Sequence, residues 1–222
     1  MNKATLALIG LTFVSHDAPS PTDVDALQLK EEEMVLEYSA TLNEAAILMA
    51  AESEESLGSV EVYAPDGTSV LRVQSSGGRK LALSGYKIES QEMDLAELCA
   101  SYAQGTYHIR ARTADGRIAR GTAALSHVIP PPAVVLFPVE GTLDLPTSGL
   151  VIRWKPDVEA AGYQLHLEQN ENDGLSVELP PGSDHFVVPD GILRPNTKTQ
   201  VEVAVIGENG NRTLVELSCA TK

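Results

Sequence analysis

Residues 149–169 read GLVIRWKPDVEAAGYQLHLEQ, and this segment holds the only tryptophan of the chain, Trp154. Leu150, Ile152 and Trp154 are large apolar residues at every second position. The same alternation resumes from residue 163 to residue 167. A period of two places successive side chains on opposite faces of a strand. The segment therefore predicts two neighbouring half-buried strands, and the similar alternation of residues 200–205 predicts a third. Together they indicate the core of a β-sandwich.

The length and the net charge of the chain limit the number of domains and the kinds of partner that we expect. The 222 residues are enough for two domains of about 100 residues each. The 16 Lys and Arg residues stand against 31 Asp and Glu residues, which gives a formal net charge of -15. Such a surface repels a polyanion, so we expect no nucleic-acid partner. The chain has no D-x-D-x-D-G run of the kind that binds calcium, and we expect no metal and no cofactor.

The first 22 residues carry one lysine, Lys3, and then an apolar run from Ala4 to Val14. A run of about eleven residues is too short to span a bilayer and is typical of the central region of a secretory signal peptide. The cleavage site that should follow is weak, so a buried first strand stays an alternative. We expect residues 1–22 to be a signal peptide or a disordered N-terminus. The protein is then exported, periplasmic or secreted, without membrane insertion of the mature chain.

Three consecutive prolines, Pro130–Pro132, mark the predicted boundary between two domains. Proline lacks a backbone N–H and holds the chain extended, so this run cannot join the interior of a sheet. We expect a β-sandwich domain over residues 23–128, a proline linker over 129–132 and a second sandwich domain over 133–222. Because such a linker is stiff, the two domains should keep a preferred relative orientation.

Turn residues divide the first domain into short elements. An Asp-Gly pair at Asp66 and another at Asp115 each lie between alternating segments, which predicts hairpins over 59–73 and 105–127. The other predicted elements are strands at 34–40, 45–51 and within 80–90, a short helix over 95–102 capped by Asp94, and an acidic linker or fraying segment over 23–33.

The second hairpin carries the one locally basic surface that the sequence predicts. The alternation places Tyr107, Ile109 and Ala111 inward and the residues between them outward. In an acidic chain, such a surface suggests a binding site for an anion or a protein partner. The alternative is a solvated hairpin whose arginines pair with nearby carboxylates and discourage edge-to-edge pairing. The candidate binding residues are His108, Arg110, Arg112, Arg117 and Arg120.

The second half of the chain carries the residues of a known module at matching positions. These are Trp154 in the second strand, Tyr163 in the third, and Leu193, Pro195, Thr197, Val201 and Val203 of a late L-x-P-x-T-x-Y-x-V-x-V signature. On these residues, the segment 133–222 resembles a fibronectin type III module. Thr199 stands where the family places its corner tyrosine. The resemblance therefore implies that the hydrogen bond of that tyrosine is absent or weaker here.

With this resemblance the predicted fold class is all-β, with two tandem immunoglobulin-like β-sandwich domains, the second fibronectin type III-like, and a short helix in the first. Residues 33–222 also resemble uncharacterised exported bacterial proteins, in which a small β-rich domain precedes such a module. That domain ends in a G-T-Y-x-x-R-x-R-T-x-D-G hairpin, here Gly105–Gly116. Type III modules serve mostly as spacers and as adhesion or interaction units, so the resemblance implies binding and not catalysis.

No pattern of reactive residues predicts an enzyme. The chain lacks a G-x-S-x-G elbow, a phosphate-binding glycine loop and an H-E-x-x-H pair. Cys99 and Cys219 fall in different predicted domains, so we expect two separately buried thiols, with a disulfide between them as the alternative. The histidines are isolated and expected to be structural or solvent-facing: His16, His108, His127, His166 and His185.

We therefore predict a non-enzymatic exported interaction or scaffold protein whose partner is a protein. Contacts would be made by sheet edges or by the basic hairpin. One alternative is a periplasmic chaperone-like protein that binds its partner through the edge of a strand. Such chaperones are basic proteins that carry an arginine and a lysine in the cleft between their two domains. Another is an accessory polysaccharide-binding module, which needs exposed aromatic residues on one face. The candidates for that face are Tyr63, Tyr86 and Phe186.

Overall fold

The computed structural model of the chain describes residues 27–74, 83–169 and 173–222. Within these residues the fold is all-β with one short helix, as predicted. The predicted signal peptide, residues 1–22, and the predicted loop 75–78 lie outside the described residues.

The described strands fall into two groups in chain order. The first group is β1 (Leu27–Gln28), β2 (Lys30–Ser39), β3 (Glu44–Tyr63), β4 (Ser69–Gln74), β5 (Leu83–Glu89), α1 (Leu95–Ser101), β6 (Gly105–Thr113) and β7 (Ile118–Leu125). The second group is β8 (Val134–Phe137), β9 (Val151–Lys155), β10 (Gly162–Gln169), β11 (Asp173–Leu179), β12 (His185–Val187), β13 (Lys198–Ile206) and β14 (Arg212–Ala220).

The second group encloses a core between two sheets. One sheet has the order β12-β9-β8, and the strands β14, β13, β10 and β11 form one end of an 11-stranded sheet. Trp154 on β9 and Tyr163 on β10 are buried between them, with ring centroids 5.4 Å apart. The sequence predicts β9 and β10 as neighbours, but they lie in different sheets and face each other across the core. Alternation shows which side of a strand is buried and does not identify the partner strand.

A glutamine tethers the corner of this sandwich in place of the family's tyrosine. Thr199 is buried, and its Oγ1 accepts a hydrogen bond from Gln169 Nε2 at 2.7 Å. Gln169 Oε1 accepts a second hydrogen bond from the backbone N of Arg194 at 2.7 Å. The tyrosine hydrogen bond is absent, as the resemblance implies, and the buried Gln169 side chain holds the same loop through these two contacts.

The first group is organised on β3, a strand of 20 residues. Its residues 44–52 pair with β2, and residues 48–52 and Leu57 pair with β5. Its residues 57–63 pair with β6, and residues 59–63 also pair with β4. The register shifts between these two parts, where residues 53–56 are mostly exposed. The sequence predicts two separate strands here, and the structure joins them. Polar residues interrupt the apolar alternation, but no proline does, so the strand continues through a shift in register.

The predicted acidic linker 23–33 is corrected by the structure. Leu27–Gln28 pair in parallel with β7, and β2 already begins at Lys30. Leu29 is buried and packs in the first hydrophobic core, and Leu27 packs against it. Leu27 and Leu29 follow the two-residue period of a strand, but the acidic residues around them favour the prediction of a linker.

The predicted helix and both predicted hairpins are confirmed. The helix α1 begins after Asp94, whose Oδ1 accepts a hydrogen bond from Ala96 N at 2.8 Å. Its Leu98 is fully buried in the first core. The hairpins turn at Gly67 and Gly116, which have φ angles of 85° and 95° that glycine adopts without strain.

Strands β14 and β2 join the two groups into the 11-stranded sheet, in which they pair in parallel through residues 212–214 and 37–39. Beside this pairing, the side chain of Asn211 is buried and accepts a hydrogen bond from Leu36 N at 2.9 Å. It donates to Ser126 O at 2.8 Å and to Val128 O at 2.7 Å. Hydrogen bonds thus hold the connector, residues 126–133 between β7 and β8, against Asn211. The buried hydrophobic residues form two separate clusters on either side of this junction.

Candidate functional site

The five candidate binding residues lie on the exposed face of the β6–β7 hairpin. Alternate residues of β6 face opposite ways, so Tyr107, Ile109 and Ala111 are buried in the first core while the residues between them are exposed. This ordering fixes the backbone of the exposed face. We call the exposed set the cationic surface: His108, Arg110, Arg112, Arg117 and Arg120.

Three members of the cationic surface line a groove of 540 Å³. Arg110 on β6 lies opposite Arg120 on β7 and, on its other side, opposite Glu61 on β3. His108 lies two residues further along β6, opposite Tyr63. The remaining lining residues are Gln28, Leu29, Glu32, Tyr63, Ile109, Gly121 and Thr122.

The other two members of the cationic surface belong to the turn of the hairpin. Arg117 makes ion pairs with Asp115 at 2.8 Å and with Glu55 at 3.1 Å, and the hydrogen bond to Asp115 raises the pKa of Arg117. Arg112 Nη1 donates to Gly116 O at 3.0 Å. These contacts hold both guanidinium groups on the turn. The structure therefore divides the five predicted residues into two sets. The groove set is His108, Arg110 and Arg120, and the turn set is Arg112 and Arg117.

Carboxylates border the cationic surface and partly neutralise it. Glu61 accepts a hydrogen bond from the hydroxyl of Tyr63 at 2.8 Å and makes an ion pair with Arg72 at 2.7 Å. The Tyr63 hydrogen bond and the charges of Arg72 and Arg110 hold the pKa of Glu61 below its usual value. Sequence reasoning found the cations and missed Glu61 and Arg72, because the alternation of β6 does not reveal its partner strands. The groove offers a partner both guanidinium donors and carboxylate acceptors.

The aromatic residues that a polysaccharide-binding module needs do not form a common surface. Tyr63, Tyr86 and Phe186 are each half-buried. Tyr86 packs against the first hydrophobic core and Phe186 against the second. Burial raises the pKa of Tyr86 to about 12. Side chains committed to two different cores cannot stack together on one sugar ring, so this alternative loses its main support.

The junction between the two strand groups carries carboxylates where a chaperone-like binder carries cations. A groove of 650 Å³ runs beside the connector, and we call it the junction groove. Its lining residues are Ser126, Val128, Ile129, Pro130, Pro131, Asp157, Val158, Glu159, Ala160, Gly207, Glu208 and Asn209. This set contains three carboxylates and, among the residues that the structure describes there, no lysine or arginine. The charge of the groove is opposite to that of the chaperone class.

Histidines and thiols lie apart in the fold. Cys99 is half-buried in the first cluster and Cys219 is buried in the second, and both thiols are free. Burial raises the pKa of each thiol. His127 Nε2 lies 2.8 Å from Tyr102 O, and His185 Nδ1 lies 2.6 Å from Asp184 Oδ1. His108 and His166 are on outward-facing positions of β6 and β10, and His16 is outside the described residues.

Across 27–74, 83–169 and 173–222, no group of three or more His, Cys, Asp or Glu side chains is arranged to hold a metal ion. In the part of the chain that the structure describes, no helix has the length and apolarity needed to cross a bilayer.

No protein-family model and no curated protein matches the chain. Among solved structures, the chain is similar to fibronectin(III)-like modules of CbhA from Clostridium thermocellum, with 10% identity over 87% of this chain and 93% of that chain and a TM-score of 0.35. A two-domain fibronectin type III segment of chicken tenascin has 9% identity over 87% of this chain and 99% of that chain, with a TM-score of 0.32. The FN1-FN3 domains of chicken CNTN1 have 12% identity over 88% and 68% of the two chains and a TM-score of 0.31.

The strand pairing decides the fold of the second group, because three strands facing four is the arrangement of an immunoglobulin-like sandwich. Residues 133–222 form a fibronectin type III-like sandwich. The resemblance predicted from Trp154 and the late signature is thereby confirmed. At identities of 9% to 12%, the similar structures give this chain neither a partner nor an activity.

Proposed function

We propose that the chain is a non-enzymatic, exported interaction or scaffold protein that binds a partner protein through the cationic surface. The observation that carries this proposal is the position of Arg110 directly opposite Arg120, on a hairpin whose other face is packed in the first core. The pairing brings two guanidinium groups to adjacent positions on an ordered surface. A carboxylate of a partner that contacts both would accept charge-assisted hydrogen bonds from them.

The shape of the site supports binding of a polypeptide segment. The groove of 540 Å³ continues from the two arginines to His108 and Tyr63, so it can accommodate more than one side chain. The hairpin is a regular ladder of eight residue pairs, from Gly105–Leu125 to Arg112–Ile118. A partner therefore meets a surface that is already ordered, and binding costs little conformational entropy.

The test compares three baits in a pulldown from the envelope fraction of the source organism. They are the unmodified chain, a variant with Arg110→Ala and Arg120→Ala, and a control with Arg153→Ala and Lys155→Ala. The control removes the same charge from exposed positions of β9. The proposal expects the unmodified chain and the control to capture the same protein, and the cationic-surface variant to bind it at least about tenfold more weakly. Equal capture by all three baits would contradict the proposal.

A further variant separates the groove set from the turn set. Arg112→Ala with Arg117→Ala also removes two positive charges, but from side chains that the turn already engages. Because these guanidinium groups are engaged locally, we expect this variant to retain more partner binding than the Arg110 and Arg120 variant. The reverse order would move the contact from the groove to the turn.

Export and the division into domains are two further parts of the proposal. Export follows from the signal-peptide pattern of residues 1–22, and N-terminal sequencing of the protein recovered from cells tests it. The division into a sandwich over 23–128, a linker over 129–132 and a module over 133–222 is supported by the two separate hydrophobic clusters. Expression of residues 133–222 alone tests this division, and a cooperative unfolding transition is the expected result.

A further inference from the structure

The junction groove combines exposed apolar side chains with an acidic rim. Val158 is 99% exposed and Val128 is 70% exposed, and both line the groove beside Pro130 and Pro131. Exposed aliphatic side chains are common singly, but two of them with two prolines around one concavity form an apolar surface. Apolar surfaces rimmed by polar residues are typical of sites that bind another molecule.

The rim of the junction groove is negative. Asp157, Glu159 and Glu208 line it, and Glu159 and Glu208 are exposed. Asp157 Oδ1 accepts a hydrogen bond from Glu159 N at 3.0 Å, which places the two carboxyl-bearing residues in one turn. These carboxylates belong to a chain whose net charge is already -15, so the potential around the groove is negative as well. Electrostatic complementarity therefore favours a cationic occupant.

Hydrogen bonds fix the wall that carries Val128. Asn211 Nδ2 and Asn209 Nδ2 donate to Val128 O at 2.7 and 2.8 Å. Thr213 Oγ1 donates to Pro130 O at 2.6 Å. The connector therefore has a defined position against the turn that precedes β14, and the concavity exists before any partner arrives. A preformed site loses little conformational entropy on binding.

We propose that the junction groove binds an extended segment of a partner protein in which aliphatic and basic residues alternate. The aliphatic side chains pack on Val128, Val158 and Pro131, and the Lys or Arg side chains pair with Glu159 and Glu208. This inference rests on the proposed function as an interaction protein, but it uses a different surface of opposite charge. The two binding surfaces can therefore fail independently of each other.

The test measures fluorescence anisotropy of a fluorescein-labelled peptide, GKVKVKVKG, titrated with the full chain. Two control peptides separate the contributions: GEVEVEVEG keeps the valines and reverses the charge, and GKSKSKSKG keeps the charge and removes the valines. We expect GKVKVKVKG to bind at least about tenfold more tightly than either control. Its affinity should decrease when the NaCl concentration is raised from about 50 mM to about 300 mM, because salt screens interactions between exposed charges.

Matched variants locate the binding. Val128→Ser with Val158→Ser should weaken binding of GKVKVKVKG by about tenfold, and Glu159→Lys with Glu208→Lys should weaken it by at least as much. The apolar control is Val139→Ser with Leu143→Ser, which changes side chains that are 59% and 75% exposed outside the groove. The charge control is Asp144→Lys with Glu178→Lys, which changes the net charge by the same amount at exposed positions outside the groove. Both controls should bind like the unmodified chain.

Three results would overturn the inference. They are equal binding of GKVKVKVKG and GKSKSKSKG, unchanged binding by both groove variants, and a concentration-dependent dimer in sedimentation velocity that Val128→Ser with Val158→Ser abolishes. The last result would assign the groove to a second copy of the chain. The variant with Arg110→Ala and Arg120→Ala should bind the peptide normally, so a failure of the cationic surface leaves this test intact.

Discussion

The two hydrophobic clusters differ in how strands enclose them. In the cluster between residues 145 and 219, each strand belongs to one sheet, and Trp154 meets Tyr163 across the space between the sheets. In the cluster between residues 29 and 125, the single strand β3 contributes core residues from both of its parts. A core can thus be built from separate strands or from one strand with a register shift between its two parts. Both kinds appear in the sequence as separate alternating segments, and only the structure shows that the two parts of β3 form one strand.

The substitution Trp154→Ala should have the largest effect, because it opens a cavity in the cluster of separate strands. The indole is 1% exposed, and its Nε1 has no hydrogen-bond partner among the described residues, so packing is what the substitution removes. We expect the free energy of unfolding to fall by about 3–5 kcal/mol. Urea titration followed by far-UV circular dichroism measures the loss, since the variant has no tryptophan to report it.

The comparison predicts where this loss is confined. Amide hydrogen exchange should accelerate on β10 and β13, whose residues pack on Trp154, while exchange on β3 in the other cluster should change less. Trp154→Phe keeps an aromatic ring against Tyr163 and should lose clearly less stability. A loss below about 1 kcal/mol for Trp154→Ala would mean that the indole is not part of a closed core.

The substitution Asn211→Ala should have the next largest effect, because this side chain contacts both groups of strands. It leaves Leu36 N and Ser126 O without their buried partner, whereas Val128 O keeps the hydrogen bond from Asn209 Nδ2. We expect a loss of about 2–3 kcal/mol, since unsatisfied buried polar groups are costly. Scanning calorimetry should show one cooperative transition of the unmodified chain broadening or dividing into two, as the clusters unfold more independently.

The control for Asn211→Ala is Asn209→Ala, two residues earlier in the same turn. Asn209 is exposed; its Nδ2 donates to Val128 O, and its Oδ1 accepts a hydrogen bond from Asn211 N at 3.1 Å. Water can replace these contacts at an exposed side chain, so we expect a loss below about 1 kcal/mol and an unchanged transition shape. Equal effects of the two substitutions would show that the buried position of Asn211 is not what couples the clusters.

Features that depend on neighbouring residues were predictable from the sequence. The cap at Asp94, the turn at Gly116, the burial of Trp154 and the outward position of Arg110 all follow from a few adjacent residues. Each is decided by backbone propensity or by the side-chain period, which are local properties. The cationic surface could therefore be named residue by residue, although its role in binding is a proposal.

Features that depend on which strands meet were not predictable. Every sequence forms the same backbone hydrogen bonds between strands. The alternation of side chains along one strand therefore does not indicate which strand pairs with it. The opposite sheets of β9 and β10, the parallel pairing of β14 with β2 and the position of Glu61 beside Arg110 all depend on such pairings. Asn211 likewise follows a Gly-containing turn, and nothing next to it in the chain marks it as buried.

The substitution Glu202→Gln should stabilise the sheet that joins the two groups, with an effect that depends on pH. Glu202 on β13 lies opposite Glu216 on β14 and opposite His166 on β10. Burial raises the pKa of Glu202 to about 7, and the charges of Glu216, Glu37 and Glu168 add to the rise. The folded chain therefore holds this proton more tightly than the unfolded chain. The resulting stability is complete at low pH and is lost as pH rises through about 7.

The expected result for Glu202→Gln is a gain of about 1–3 kcal/mol at about pH 8 and no gain at about pH 4, because glutamine resembles the protonated acid. Urea titrations at the two pH values measure the difference. Glu159→Gln, at an exposed position of the junction groove, is the control and should change neither value by more than about 0.5 kcal/mol. A gain of the same size at both pH values would show that protonation is not its cause.

The substitution Asp94→Ala should have the smallest of these effects and acts only on the cluster built on β3. Asp94 Oδ1 accepts a hydrogen bond from Ala96 N at 2.8 Å, and Oδ2 accepts one from Asn43 Nδ2 at 3.2 Å. Loss of a helix cap costs about 1 kcal/mol. Asp94→Asn keeps a capping oxygen and should lose less, whereas an equal loss would attribute the effect to the charge. Because Leu98 packs against a cluster that β3 holds from both of its parts, urea titration should show a small loss without a change in cooperativity.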